Sequence, residues 1–307
     1  MLQQTTVTTV QKYYRPFLRQ FPTVFDLAAA PIHDVLMFWA GLGYYRRAHH
    51  LHRCAQHIVN HYNGVWPRCE RKLLSLPGVG DYIAGAIRAI AFQEEAAAVD
   101  TNVRRVLGRL LGVPDIDVKM VKRVLSQMRW DGVRVGDFYQ GVMDIGRTLC
   151  GVKSWYCLEC PLQHQCVTQV QGAGESLNPQ NKRSKKDKPV KKACFFVHKS
   201  DDQYYLCLGS PEGRMLEGLW IFPSTQWMAP QDFEQVRQTW SQDMVSQTEE
   251  HVVKHVFSHF TLLAHLVVVE HAPAYNVGGK WVDSKDFGLY PMSALAHRLV
   301  RIALSFD

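Results

Sequence analysis

Four cysteines stand within a short span: Cys150, Cys157, Cys160 and Cys166, in the pattern C-x6-C-x2-C-x5-C. A chain that gathers them must wrap that segment around whatever the thiolates bind. Four cysteine thiolates are the usual ligand set of a [4Fe–4S] cluster. Zinc also accepts four cysteines, but its sites usually pair two close C-x2-C knuckles, and here only Cys157 and Cys160 are so close. The spacing favours a cluster and leaves zinc open. The other four, Cys54, Cys69, Cys194 and Cys207, are scattered. Such usage in a chain of 307 residues fits a reducing compartment better than a secreted disulfide framework.

Two further motifs precede the cysteines. Residues 76–80 read Leu-Pro-Gly-Val-Gly and are followed by a helical pattern. Glycines at both tight positions of such a turn let the backbone approach a ligand, and the amides that open the next helix can point at an anion such as a DNA phosphate. An ordinary helix–turn–helix corner would look the same. Asp100 stands directly before a second helical pattern that opens with Thr101 and Asn102. Aspartate there is a common N-cap; a catalytic role requires that it also face a cavity.

The chain divides by texture. Residues 1–171 read as helical, with Val7, Val10, Tyr14, Phe17 and Phe21 at steps of three or four. Val35, Leu36 and Trp39 form the inner face of a second helix, and a long helix spans roughly residues 44–62. On it His57 and His61 are four apart, a geometry for two of the four ligands zinc wants, or simply a solvated face. A helix from 81 to about 92 carries Ile83, Ile87 and Ile90 on one face. Residues 172–192 are a basic linker. Residues 193–307 show short β runs at 194–197, 204–208, 219–222 and 261–269, a helix near 232–240 and a helical tail. The net charge is +7, of which residues 181–192 supply +6, so the remainder is nearly balanced at +1. Basicity alone is therefore weak support for nucleic-acid binding. No signal peptide and no apolar run long enough to span a membrane are expected.

The order LPGVG, VDTNVRRVL and C-x6-C-x2-C-x5-C resembles the helix-hairpin-helix DNA glycosylase superfamily, which includes endonuclease III. MLQQT at 1–5, FPTVFDLAAAP at 21–31, GLGYYRRAHHLH at 41–52 and VFSHF at 256–260 are similar, more narrowly, to the adenine DNA glycosylase (MutY) family. The resemblance covers nearly the whole chain. It implies a mostly α helix-hairpin-helix glycosylase domain with a [4Fe–4S] cluster, followed by an α+β Nudix-like domain for 8-oxoguanine recognition. The implied activity is that of a monofunctional DNA N-glycosylase of base excision repair. Its substrate would be double-stranded DNA with adenine opposite 8-oxoguanine or guanine.

By position, Asp100 matches the aspartate that stabilises the oxocarbenium-like sugar, and Asn102 a residue that orients it. Pro77, Gly78, Val79, Gly80 and Tyr82 match the DNA-gripping hairpin. Gln4, Leu42 and Tyr44 match positions that wedge into the duplex around the oxidised guanine. Phe257, Ser258 and His259 match the lesion-recognition loop, and Cys150, Cys157, Cys160 and Cys166 the cluster ligands. Tyr82 stands where bifunctional relatives carry a Schiff-base lysine, and a phenol forms no imine. The Nudix-like half lacks the acidic REx2EE pattern, which implies recognition without pyrophosphatase activity. A cytoplasmic, bacterial monomer acting on the nucleoid is expected.

One departure matters. The family's sequences carry an earlier helical segment ending in S-E-x-M-L-Q-Q-T, and that glutamate protonates the leaving adenine. By this correspondence it falls two residues before Met1. General acid catalysis is worth about 10²–10⁴ in rate. The expectation is that residues 1–307 bind mispairs but excise little adenine, and that the early helices expose apolar surface. Two other readings stay open: a non-catalytic mispair-binding remnant, and a pyrimidine-directed helix-hairpin-helix glycosylase.

Overall fold

The computed structural model describes residues 1–113, 116–172, 188–209, 214–238, 251–269 and 278–305. Four helices open the chain: α1 (Val7–Gln20), α2 (Val24–Ala29), α3 (Ile32–Met37) and α4 (Arg46–Tyr62). Thr6 caps α1, and Thr23 with Asp26 forms a reciprocal capping box on α2. Pro16 lies inside α1. Of the stripe expected on α1, Val10, Phe17 and Phe21 are buried, whereas Val7 and Tyr14 are exposed and form an outer apolar face with Leu18. Helix α4 closes on Asn63 in the left-handed conformation.

Six helices follow: α5 (Glu70–Leu74), α6 (Asp81–Ala86), α7 (Thr101–Leu110), α8 (Val118–Ser126), α9 (Val135–Thr148) and α10 (Val167–Val170). The helix expected from 81 to 92 changes type: α6 passes into a π-helical turn, Ile87–Ala91. Arg88, inside that turn, bonds Glu94 at 2.9 Å and Glu70 at 3.0 Å. The remaining elements are β1 (Val190–Ser200), β2 (Gln203–Leu208), β3 (Trp220–Ile221), α11 (Pro230–Gln238), β4 (His251–Val256), β5 (Thr261–Val269), β6 (Gly279–Asp283) and α12 (Ala294–Ala303). The strands form one mixed sheet in the order β3-β2-β1-β5-β4, with β6 on β2. Strands β1 and β5 run parallel from Val190↔Thr261 to His198↔Val269, and β4 pairs antiparallel with β5.

Packing divides the chain inside the expected helical domain, while its other boundary falls within the expected linker of 172–192. One unit joins Met1–Gly64 to Lys185–Asp307; the other is Val65–Ser184. The reason is a shared core. Val35, Leu36, Trp39 and Ala48 of the early helices belong to the same buried cluster as Phe195, Leu206, Leu219, Phe222 and Leu299. Val35 and Leu36 are fully buried, and each such side chain contributes about 1.5–3 kcal/mol relative to exposure. The second unit has its own core of Val103, Val106, Leu107, Val121, Leu125, Tyr139 and Val142.

The basic linker is shorter than its composition suggests. Lys191 and Lys192 lie on β1, where Lys192 pairs with Glu234 at 2.6 Å, and Lys188 donates to the Phe257 carbonyl at 2.7 Å. Residues 173–187 lie outside the described residues. Among the described residues no helix is long and apolar enough to cross a membrane.

Candidate functional site

Asp100 is the N-cap of α7. Its backbone is extended (φ −95°, ψ −175°), and its Oδ1 accepts from the Val103 amide at 2.7 Å. That bond satisfies an orphan donor of the helix and fixes one carboxylate oxygen. Asn102 Nδ2 donates to the other, Oδ2, at 2.8 Å. Both oxygens thus have a donor, and the carboxylate keeps one orientation.

Asn102 is itself held. Arg105 Nη2 donates to its Oδ1 at 2.8 Å and to the Gly146 carbonyl at 2.6 Å, while Nε donates to the Cys150 carbonyl at 2.9 Å. Helix α9 approaches closely here because Gly146 has no side chain: a Cβ would sit 2.7 Å from that of Asn102. A continuous hydrogen-bonded path therefore runs from the backbone of the first cysteine to Asp100. Burial lowers the Arg105 pKa, as does the neighbouring Arg109 charge.

The glycine turn lies on the same unit. The Val79 amide bonds the Leu76 carbonyl at 3.1 Å, and Gly78 takes φ +77°, a conformation that costs glycine little. Gly80 caps α6 with extended backbone, and a Cβ there would meet open space. Pro77 and Val79 are half-buried, while Gly78, Gly80 and Tyr82 are exposed. Asp81 puts a carboxylate at the first turn, so anion affinity here rests on backbone amides. The Tyr82 hydroxyl reaches Met143 Sδ at 3.8 Å. Its pKa is raised by burial and by the Asp100 charge.

The four cysteines line one cavity together with Arg109, Leu149 and Trp155. All four are free and partly exposed. Among the described residues no three His, Cys, Asp or Glu side chains close on a single metal ion; the sulfurs surround a space instead. Arg109 Nη1 donates to Cys150 Sγ at 3.1 Å, while its Nη2 is buried without a partner. A cavity lined by four cysteine sulfurs, with one spare buried guanidinium donor, fits a [4Fe–4S] group. The rings of His57 and His61 lie 4.2 Å apart, tilted by 40°, and among the described residues no third His, Cys, Asp or Glu joins them.

The other unit carries the wedge and loop residues. Gln4 (φ +54°) and Tyr44 (φ +51°) both adopt left-handed backbone, which is uncommon outside glycine and concentrates at functional positions. Gly41 and Gly43 turn the chain around Leu42 at φ +90° and +76°. That turn folds Leu42 inward, 5% exposed, so the duplex-facing role expected for it is not matched by an exposed side chain. Arg47 ties the two loops. It donates to the Met1, Gln3 and Gly43 carbonyls and lies over the Trp39 and Tyr44 rings.

Tyr44 Oη and Ser258 Oγ lie 2.9 Å apart. Ser258 and His259 are exposed at the turn between β4 and β5, closed by the Phe257 amide on the Phe260 carbonyl at 2.9 Å. Phe257 braces that turn against Trp227, His255 and Phe260. Arg47, Arg105 and Arg109 were not singled out from sequence. An available signal was Arg105 and Arg109 at i,i+4 amid the buried stripe of α7.

Comparison with known proteins gives the class first. Residues 1–129 match the HhH-GPD superfamily base excision DNA repair protein family, and residues 193–301 match the NUDIX domain. The architecture is thus a helical HhH-GPD glycosylase domain followed by a Nudix-like α+β domain. A thermostable thymine-DNA glycosylase of known structure superposes with a TM-score of 0.51 at 28% identity, over 55% of this chain and 80% of that one. An adenine DNA glycosylase of Rattus norvegicus is 31% identical over 360 residues, covering 98% of this chain and 70% of the relative. Another, of Homo sapiens, is 29% identical, covering 98% of this chain and 66% of the relative. The chain belongs to the adenine DNA glycosylase family. It spans about two thirds of the length of the human relative.

Proposed function

We propose that the protein recognises adenine opposite 8-oxoguanine or guanine in double-stranded DNA and presents the adenosine to Asp100 for N-glycosidic hydrolysis. The observation that carries this reading is the fixed carboxylate of Asp100, with Oδ1 on the Val103 amide and Oδ2 on Asn102. As the glycosidic bond breaks, positive charge develops on the sugar. A pre-oriented negative charge stabilises it without reorganising at the moment of reaction. The adenosine must leave the stack to reach such a group. Gln4 and Tyr44 act at the gap, where inserted side chains offset lost stacking. Ser258 reads the oxidised guanine through its hydroxyl.

Cys150, Cys157, Cys160 and Cys166 would hold the [4Fe–4S] cluster. When bound, it supplies a structural tie at the end of α9 and electron-transfer capacity. Arg105 then connects the same backbone to Asn102 and keeps the acid oriented.

The test is equilibrium binding to duplexes differing only at one pair. Adenine opposite 8-oxoguanine should bind at least tenfold tighter than adenine opposite thymine, and Ser258→Ala should narrow that ratio. Equal affinity for both duplexes would remove the mispair reading. Tighter binding of pyrimidine lesions would favour a pyrimidine-directed glycosylase.

A further inference from the structure

We infer that Arg109 tunes the reduction potential and oxidative lifetime of the iron–sulfur cluster held by Cys150, Cys157, Cys160 and Cys166. This rests on the cluster reading of those cysteines. Arg109 sits on the inner face of α7 and is only 8% exposed. Its Nη1 donates to Cys150 Sγ at 3.1 Å and to the Gly151 carbonyl at 2.7 Å. The guanidinium lies over the Trp155 ring, 5.0 Å from its centroid. The backbone of Arg109 is pinned as well, since its carbonyl accepts from Thr168 Oγ1 at 2.6 Å.

Two features exceed what a structural tie requires. The first is Nη2, buried with no hydrogen-bond partner. A buried donor normally has an acceptor, because leaving it unmet carries its full desolvation penalty. The second is the company of this guanidinium, which lines the cavity formed by the four cysteines. Four cysteine sulfurs stand among its lining, beside the side chains of Gln163, Thr168 and Gln169. Arginine forms a rigid planar fork: one arm already engages a ligand sulfur, and the other is free to serve the group the thiolates enclose.

The electrostatic consequence has a definite sign. Four thiolates around an iron–sulfide core are negatively charged overall, and more so after the core gains an electron. A buried cation with donors on sulfur stabilises the more negative state more strongly, and so raises the potential. Removing it makes the cluster easier to oxidise, and dioxygen is then the oxidant that bleaches it.

The test uses the whole chain, prepared without oxygen and loaded with iron and sulfide. Iron and sulfide per chain are counted, and the potential is measured by spectroelectrochemical titration for wild type, Arg109→Gln and Arg109→Lys. Loading is expected to be equal. Arg109→Gln should shift the redox equilibrium at least tenfold towards the oxidised form, about 59 mV for one electron, and bleach several-fold faster in air. Arg109→Lys keeps the charge but not the fork, and should fall between. Equal loading with an unchanged potential would overturn the inference and leave Arg109 a structural tie. If Arg109→Gln does not fold, an unchanged potential in Arg109→Lys overturns it equally. Wild type that takes zinc, or takes no iron and sulfide, defeats the cluster reading itself, an outcome distinct from an unshifted potential.

Discussion

At the scale of single residues, the site is marked by conformations and donors more than by charge. Gln4 and Tyr44 hold left-handed backbone, at about 1–2 kcal/mol each for an L-residue. Gln4 is also exposed, so little packing is lost on removing its side chain. Gln4→Gly should leave the melting midpoint unchanged or higher, since relief of strain offsets glycine's entropy cost of about 0.5–1 kcal/mol. It should also lower mispair discrimination several-fold. A clearly lower midpoint with discrimination intact would show that Gln4 serves the fold and not the site. Asp100 and the cysteines were legible in sequence because their spacing and helix-start position are written in letters. Arg47, Arg105 and Arg109 were not, because most of their acceptors are backbone carbonyls of Met1, Gln3, Gly43, Gly146, Cys150 and Gly151. A carbonyl has no letter of its own. The inward setting of Leu42 is hidden from sequence for a related reason: the two glycines beside it decide which way it points.

At the scale of elements, the informative departures come from close approaches. The apolar period over Ile83, Ile87 and Ile90 fits a regular helix, yet the chain takes a π turn at Ile87–Ala91. Just before it, a Cβ on Gly85 would lie 2.1 Å from the Ala97 carbonyl. Helix α6 can pack against the segment leading to Asp100 only because that position is glycine. Gly85→Ala should therefore destabilise the unit by about 1–3 kcal/mol, the usual cost of overpacking, read as a lower denaturation midpoint. A change below about 0.5 kcal/mol, the range of neutral surface substitutions, would show that the contact relaxes freely. Strands β1 and β5 were legible as runs of apolar residues. Strand β4 was not, because only Val253 of HVVKHV is buried, and β6 has five residues, of which only Val282 is buried. The outer positions of the hairpin follow the β4–β5 pairing, which places Ser258 at its exposed end.

At the scale of the whole molecule, texture predicted three segments, but the core joins the first four helices to the sheet. Composition changes along the chain, whereas packing depends on which faces meet, and Trp39 and Leu219 meet in one cluster. That unit also contains histidines whose charged form burial disfavours. His52, His255 and His297 all have lowered pKa values, with desolvation the first cause in each. Their folded pKa lies below the unfolded value of about 6.5, so the unfolded chain binds more protons as pH falls. The histidines' contribution to stability should be constant above about pH 7 and decline on acidification through the unfolded pKa. A thermal midpoint that rises between neutral and mildly acidic pH would contradict this assignment.

The claim that organises all three scales is that Asp100 is a fixed negative charge for a cationic sugar. It is tested most directly by binding and not by turnover. Two duplexes carry, opposite 8-oxoguanine, either a protonated azasugar nucleotide or a neutral tetrahydrofuran nucleotide of similar shape. Wild type should prefer the cationic duplex at least tenfold. Asp100→Asn keeps a good N-cap, so it should fold normally and lose that preference. Arg105→Met should weaken it through the loss of support to Asn102. An Asp100→Asn protein that folds and still prefers the cationic sugar as strongly as wild type would contradict the claim.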